Sequence, residues 1–261
     1  MNSNKLNQRQ AQPTNNAFNK PPEQQRKRPA PLWARIAVGA AIGVVIATAT
    51  IIGITIYSNV SGSDTVDTDM YPAGLKKPII YLYPTADTNV TVKLGKPEEL
   101  AVSYPTYNAN TGWRVLAKSS GELVDLSSGR NLYSLYYESN LLNDEFKVEE
   151  DGFIVRREDI TSFLEDKLAK LGLNEYEAEE FIVYWLPRLS EHRYNYIRFA
   201  TIDEINWAMP LDINPTPDTI IRVLMTYKGL DEPLTGIQEQ QLPPTPTRTG
   251  FTAVEWGGSE I

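Results

Sequence analysis

Cysteine is absent from the 261 residues, and histidine occurs once, as His192. The first absence excludes disulfides, thiolate metal centres, a cysteine nucleophile and a lipidated N-terminal cysteine. Any fold must therefore be held by apolar burial, and the lack of cysteine says little about compartment. Also missing are G-x-S-x-G, S-x-x-K, H-E-x-x-H, a P-loop and G-x-G-x-x-G, so the common hydrolase, metalloprotease and nucleotide signatures fail together. No cofactor is expected. Positive charge is scarce over most of the chain. The segment up to Arg35 holds seven basic residues against Glu23 alone, a net +6, so the rest of a chain of −8 carries −14. An acidic body of that kind repels nucleic acid, which is set aside as a partner.

Between Arg35 and Asp64 there is no charge at all, and Ile36 to Tyr57 reads IAVGAAIGVVIATATIIGITIY. A helix of about 22 residues at 1.5 Å per residue spans the roughly 30 Å of a bilayer's hydrocarbon core. The spacing predicts a single transmembrane helix over 32–57, with Trp33 and Tyr57 as interfacial rings. Residues 1–31 read as a disordered basic tail. The cluster Arg26, Lys27, Arg28 and Arg35 holds that tail in the cytoplasm by the positive-inside rule, which puts the C-terminal part outside the cell membrane. The apolar run is too long for a cleaved signal peptide, so an uncleaved anchor is expected. Within it, Gly39, Gly43 and Ala47 lie four apart on one face and would let two helices pair as a homodimer.

Residues 58–75 form a small, acidic linker. Asp64, Asp67 and Asp69 lack the later glycine and distal glutamate of an EF-hand loop, so no metal site is expected there. Beyond the linker the pattern becomes α+β and β-rich, in two lobes. Over 76–148, Pro78 to Pro84 reads as a strand buried on both faces. The alternations at 90–94, 100–104, 113–117, 123–126 and 132–137 predict half-buried strands of an antiparallel sandwich-like lobe. Over 149–261, Ile160, Phe163, Leu164, Leu168 and Leu171 recur at helical spacing, with Gly172 as the stop. Asn174 and Glu177 predict a short second helix over 175–180. Phe181 to Pro187 (FIVYWLP) reads as a central strand, followed by strands at 194–200, 219–227 and 251–256.

The motifs Lys77-Pro-Ile-Ile-Tyr-Leu-Tyr-Pro84, Phe181-Ile-Val-Tyr-Trp-Leu-Pro187, Pro217-Asp218 running into Arg222-Val-Leu-Met-Thr-Tyr-Lys228, and Gly250-Phe-Thr-Ala-Val-Glu-Trp-Gly-Gly258 occur in that order. Together they resemble an uncharacterised family of exported or membrane-anchored bacterial proteins, over about residues 76–258. The resemblance implies an extracytoplasmic domain and carries over no catalytic residue.

Three residues are candidates for chemistry. Glu255, between bulky apolar neighbours and beside two glycines, has the surroundings of a desolvated acid; strand alternation alone instead turns it outward between Val254 and Trp256. Asp218 either is a second, separate candidate acid or merely begins a strand from a turn after Pro217. His192 either serves as a general base or lies in a solvated loop. The aromatics offer a second resource, since rings stack on sugar faces while carboxylates accept hydroxyl protons. Trp113, Trp207, Tyr133, Tyr136 and Tyr137 are the surface candidates, and Trp185 is assigned to the core. The chain is thus expected to be a noncatalytic cell-envelope binding protein contacting the lipid bilayer and cell-wall glycan, peptide or another envelope protein. The alternatives are a carboxylate-dependent envelope hydrolase and a scaffold that dimerises through its membrane helix. What separates the first two is whether two carboxylates converge within about 5 to 9.5 Å.

Overall fold

Short apolar-alternating segments dominate, and in the computed structural model, which describes residues 74–140 and 146–261, they become two sheets with three helices packed on them. The first half runs β1 (Lys76–Tyr83), β2 (Thr88–Leu94), β3 (Leu100–Tyr104), β4 (Trp113–Ala117), β5 (Leu123–Asp125), β6 (Asn131–Leu132) and β7 (Leu135–Ser139). The second runs β8 (Asp151–Arg156), α1 (Ile160–Lys170), α2 (Glu175–Leu189), β9 (Tyr194–Phe199), α3 (Ile202–Ala208), β10 (Leu211–Asn214), β11 (Thr219–Leu230), β12 (Gln238–Glu239) and β13 (Thr252–Glu260). The fold is β-rich α+β, and these elements all belong to one unit, Thr68–Ile261.

The larger sheet has the order β12-β8-β9-β11-β13-β1-β7-β3, and the smaller β10-β2-β4-β5-β6. Both mix early and late strands. The expected separation into lobes at 76–148 and 149–261 is therefore corrected: β1 pairs with β13 on one side and β7 on the other, and β10 joins β2. A strand with an apolar run on both faces needs neighbours on both edges, and the latest strand in the chain supplies one of them. The pairing of β11 with β13 is parallel, running from Thr219↔Thr252 to Tyr227↔Glu260.

Alternation along the large sheet sends side chains into two separate cores. One core, between the sheets, takes Ile80, Leu82, Leu135, Leu224 and Ala253 together with Val92, Trp113 and Val115 of the smaller sheet. The other, under α1 and α2, takes Ile79, Val223, Met225, Val254 and Trp256 with Leu164, Phe181 and Trp185.

The predicted strand over Phe181 to Pro187 is instead the second half of α2. Glu177, Phe181, Trp185 and Leu189 are its buried residues and lie one helical turn apart, whereas Val183 is 68% exposed. The helix expected over 175–180 therefore continues to Leu189. Its start is a full capping box: Asn174 Oδ1 accepts from the Glu177 N–H at 3.0 Å, and Glu177 Oε2 accepts from the Asn174 N–H at 2.9 Å. Pro187 sits in the last turn, where the lost hydrogen bond falls on the carbonyl of solvent-facing Val183.

Two glycines explain how three sequence motifs come together. A Cβ on Gly258 would lie 2.5 Å from the Trp185 ring, and one on Gly257 would lie 3.1 Å from Pro78. Gly258 leaves no room for a side chain and Gly257 is tight against Pro78, so the final strand is pressed between the indole of α2 and the start of β1.

Among the described residues no helix is long and apolar enough to cross a membrane. The expected span over 32–57, with Gly39, Gly43 and Ala47, lies outside them, as do the basic tail and most of the acidic linker.

Candidate functional site

Strand alternation puts Tyr81 and Tyr83 of β1, and Tyr136 of β7, on the helix side of the large sheet. Tyr133 stands in the turn before β7 and is 59% exposed. The flank of α2 faces them with Glu177, Glu180 and Tyr184, which follow at i, i+3 and i+7 and so share one side of the helix. The result is a tyrosine shelf along one side of α2.

At its middle, the Tyr81 hydroxyl donates to Glu180 Oε2. The Tyr81 and Tyr133 rings are 6.5 Å apart, and Tyr81 stacks on Tyr83 at 6.3 Å. Burial, then the hydrogen bond to Glu180 and its charge, push the Tyr81 phenol well above the ordinary tyrosine range. Burial followed by the Glu180 charge also raises Tyr133. Toward one end, Arg248 pairs with Glu177, donates to the Gly172 carbonyl at 2.8 Å, and lies 5.8 Å from the Tyr83 ring. That arginine ties the proline-rich 241–248 loop to the turn between α1 and α2.

Toward the other end, the Lys77 ammonium lies 5.4 Å from the Tyr136 ring and 5.7 Å from Tyr184. Arg188 stacks over Tyr184 at 3.9 Å. Lys77 is the one non-glycine residue with positive φ among the described residues, at 59°. It sits where β1 gains an extra residue against β13, between the pairs Lys76↔Gly258 and Ile79↔Trp256. A bulge of this kind re-aims a side chain, and here the chain it re-aims covers two tyrosines.

Of the aromatic candidates, Tyr133 and Tyr136 belong to the shelf. Trp207 is 58% exposed on α3 with the Lys96 ammonium 4.6 Å above it, but α3 packs on the opposite side of the large sheet. Trp113 and Tyr137 are not surface residues, at 2% and 1% exposure. Trp113 donates Nε1–H to the Pro105 carbonyl at 2.7 Å and meets Tyr107 edge-on at 4.8 Å. Tyr137 follows Tyr136 by one residue, so the pleat turns it into the core between the sheets.

The acid candidates fall apart in space. Glu255 is buried beside Arg222, whose Nε lies 2.5 Å from Glu255 Oε2, and it accepts from the Tyr137 hydroxyl at 2.8 Å. Arg222 also donates to Asn206 Oδ1 at 2.7 Å and to the Met209 carbonyl at 2.8 Å. Asp218 accepts from the Phe251 N–H at 2.7 Å and so fixes the entry to β13. Arg222 is the register partner of Glu255, which puts Asp218 four residues, or about 13 Å, upstream along β11. His192 packs on Gly229 near the other end of β11, about 36 Å from Asp218. These three do not form one site. The outward orientation that alternation alone assigns to Glu255 is corrected as well, because both faces of this sheet are covered and neither direction leads to solvent.

A concavity of about 540 Å³ lies apart from the shelf, between β8, α1 and residues 237–239. Its floor is the Phe153–Phe163 pair, 5.1 Å apart, with Lys167 over both rings and also 3.2 Å from Asp166.

Sequence reading alone passed over Tyr81, Tyr83, Tyr184, Glu180 and Lys77 as site residues, and missed α3 and β10. The α3 helix did leave a signal, Thr201 with Glu204 three residues on, which forms a capping box. Compared with protein-family models, curated proteins and solved structures, the chain matches none.

Proposed function

We propose that this is a single-pass, membrane-anchored extracytoplasmic protein whose folded unit binds cell-envelope glycan through the tyrosine shelf and carries out no chemistry on it. The observation that carries the reading is the shelf itself. Five tyrosines from two strands, a turn and a helix meet there, with carboxylates and cations between them. Stacking rings flanked by hydrogen-bonding groups suit the two kinds of surface a sugar presents. The apolar run at 36–57, the +6 on its N-terminal side and the −14 beyond it support the anchor and its direction. The resemblance to exported bacterial proteins and a sandwich-like packing of the two sheets agree with that reading. Hydrolysis is disfavoured by the separation of Glu255 from Asp218. Scaffolding through Gly39, Gly43 and Ala47 rests on the sequence alone.

Two measurements test the proposal. Ser120 lies in an exposed turn, and a cysteine placed there is the only thiol in the chain. It is expected to react with a membrane-impermeant maleimide in intact cells, and labelling only after lysis overturns the topology. In co-sedimentation of the full-length protein in detergent with isolated cell-wall sacculi, Tyr133→Ala is expected to weaken binding about 3- to 10-fold, the size of one lost aromatic contact. Trp207→Ala is expected to leave it unchanged. Absence of sedimentation, or the reverse pattern between the two variants, removes the shelf as the binding surface.

A further inference from the structure

Of the three shelf carboxylates, two have a cation. Glu177 has Arg248, and Glu138 has Lys76 at 3.6 Å. Lys77 lies over Tyr136 and Tyr184, and Arg188 over Tyr184. Glu180 is half-buried and, among the described residues, is served by phenol rather than by a cation. It lies on the exposed flank of α2, and beside it the Tyr81 and Tyr133 rings are tilted by 32°. A half-buried carboxylate that accepts from the Tyr81 hydroxyl and stands beside the open Tyr133 ring is the chemistry that recognises an ammonium group, since carboxylate and ring face both attract a cation within about 6 Å. The adjoining Tyr133 ring is open to solvent and can lie against the face of the sugar that carries the amine.

Resting on the shelf reading above, we propose that the Tyr81, Tyr133 and Glu180 corner is an ammonium subsite, selecting glycan whose amino sugars carry a free amine over the N-acetylated form. The ammonium docks on Glu180 against the solvent-facing Tyr133 ring, and acetylation removes both the charge and the donors that the carboxylate needs. The other shelf carboxylates, held by Arg248 and Lys76, do not compete for it.

The test compares a chitosan hexasaccharide with its fully N-acetylated counterpart, titrated into the full-length protein in detergent at about pH 5.5, above the ordinary carboxylate range. The wild type is expected to prefer the free amine by at least about tenfold, the scale of one charge-assisted contact. Glu180→Gln keeps an acceptor for the Tyr81 hydroxyl and is expected to erase the preference while leaving affinity for the acetylated sugar in place. Tyr81→Phe keeps the carboxylate and is expected to keep the preference. Glu239→Gln, in the distant concavity, controls for general attraction of a polycation to an acidic surface and is expected to change nothing. Equal affinity for the two sugars, or a preference that survives Glu180→Gln, overturns the subsite. If the two sugars bind equally and Tyr133→Ala weakens both, the ammonium inference fails while the shelf stands. If neither sugar binds but sacculi still do, the subsite is again overturned and the shelf reading survives. Loss of sacculus binding as well would end both.

Discussion

Glu255→Ala is expected to destabilise the folded unit by about 3 to 5 kcal/mol, the cost of leaving a buried charge without its partner. For a unit of this size that lowers the melting temperature by about 6 to 20 °C. The charge in question is Arg222, whose side chain is 2% exposed and whose Nε lies 2.5 Å from Glu255. Desolvation is the largest influence and would pull the Arg222 pKa down, but the charge and hydrogen bond of Glu255 together with those of Tyr137 outweigh it, and the net displacement is upward, so the guanidinium stays protonated. Arg222 would retain Asn206 and the Met209 carbonyl, both neutral acceptors. Arg222→Met with Glu255→Leu removes both charges together and is expected to recover most of the loss, because a buried pair is far cheaper to delete than to split. Thermal unfolding followed by circular dichroism reads all three proteins. A Glu255→Ala protein that melts with the wild type would mean that the network is open to solvent, and Glu255 would return as a candidate acid.

Glu255 also shows how far periodicity can be read. Alternation correctly separates it from Val254 and Trp256, but it gives only the side of the strand and not what covers that side. On β13, one side meets helices and the other a second sheet, so an apparently outward acid is buried in a second core. Tyr136 and Tyr137 are separated by the same rule, which one residue at a time cannot assign. The strands at 90–94 and 113–117 and the helix from Ile160 were legible because each repeats its own period over several residues, and the strand at 219–227 because it is an apolar, β-branched run. Phe181 to Pro187 was not, because its β-branched and aromatic residues read equally well at period two. What decides is the docking of Trp185 onto Gly258, a contact across 73 positions of chain. The shelf was hidden for the same reason. Its central hydrogen bond joins residues 99 apart, and two of its tyrosines lie within a strand motif that by itself predicts only burial.

High pH gives the second large effect. Tyr81, Tyr137 and Tyr227 are buried, at 5%, 1% and 3% exposure, and each phenol is pushed well above the ordinary tyrosine value of about 10. Burial is the leading cause in all three. After it come the hydrogen bond to Glu180 for Tyr81, the Glu255 charge for Tyr137 and the Glu260 charge for Tyr227. A group whose folded pKa is raised binds its proton more tightly in the folded state. Its stabilising contribution is therefore complete below the unfolded pKa near 10 and is lost as pH climbs above it. At pH 11 each such phenol withdraws about 1.4 kcal/mol, or about 4 kcal/mol for the three. Tyr83 and Tyr136, raised by burial and then by Glu177 and Glu138 respectively, add a smaller, solvent-screened share in the same direction. Urea unfolding is expected to give a flat stability up to about pH 9 and a fall of about that size by pH 11. Over the same interval the folded protein should gain much less phenolate absorbance than the unfolded chain. Tyr227→Phe keeps the ring and removes the ionisable hydroxyl, so it should reduce the slope by about one third of the three-phenol effect. If the folded protein instead titrates all its phenols near pH 10 with no loss of stability, the tyrosines around α2 are solvated. The shelf would then lack the walls that hold Glu180 in place.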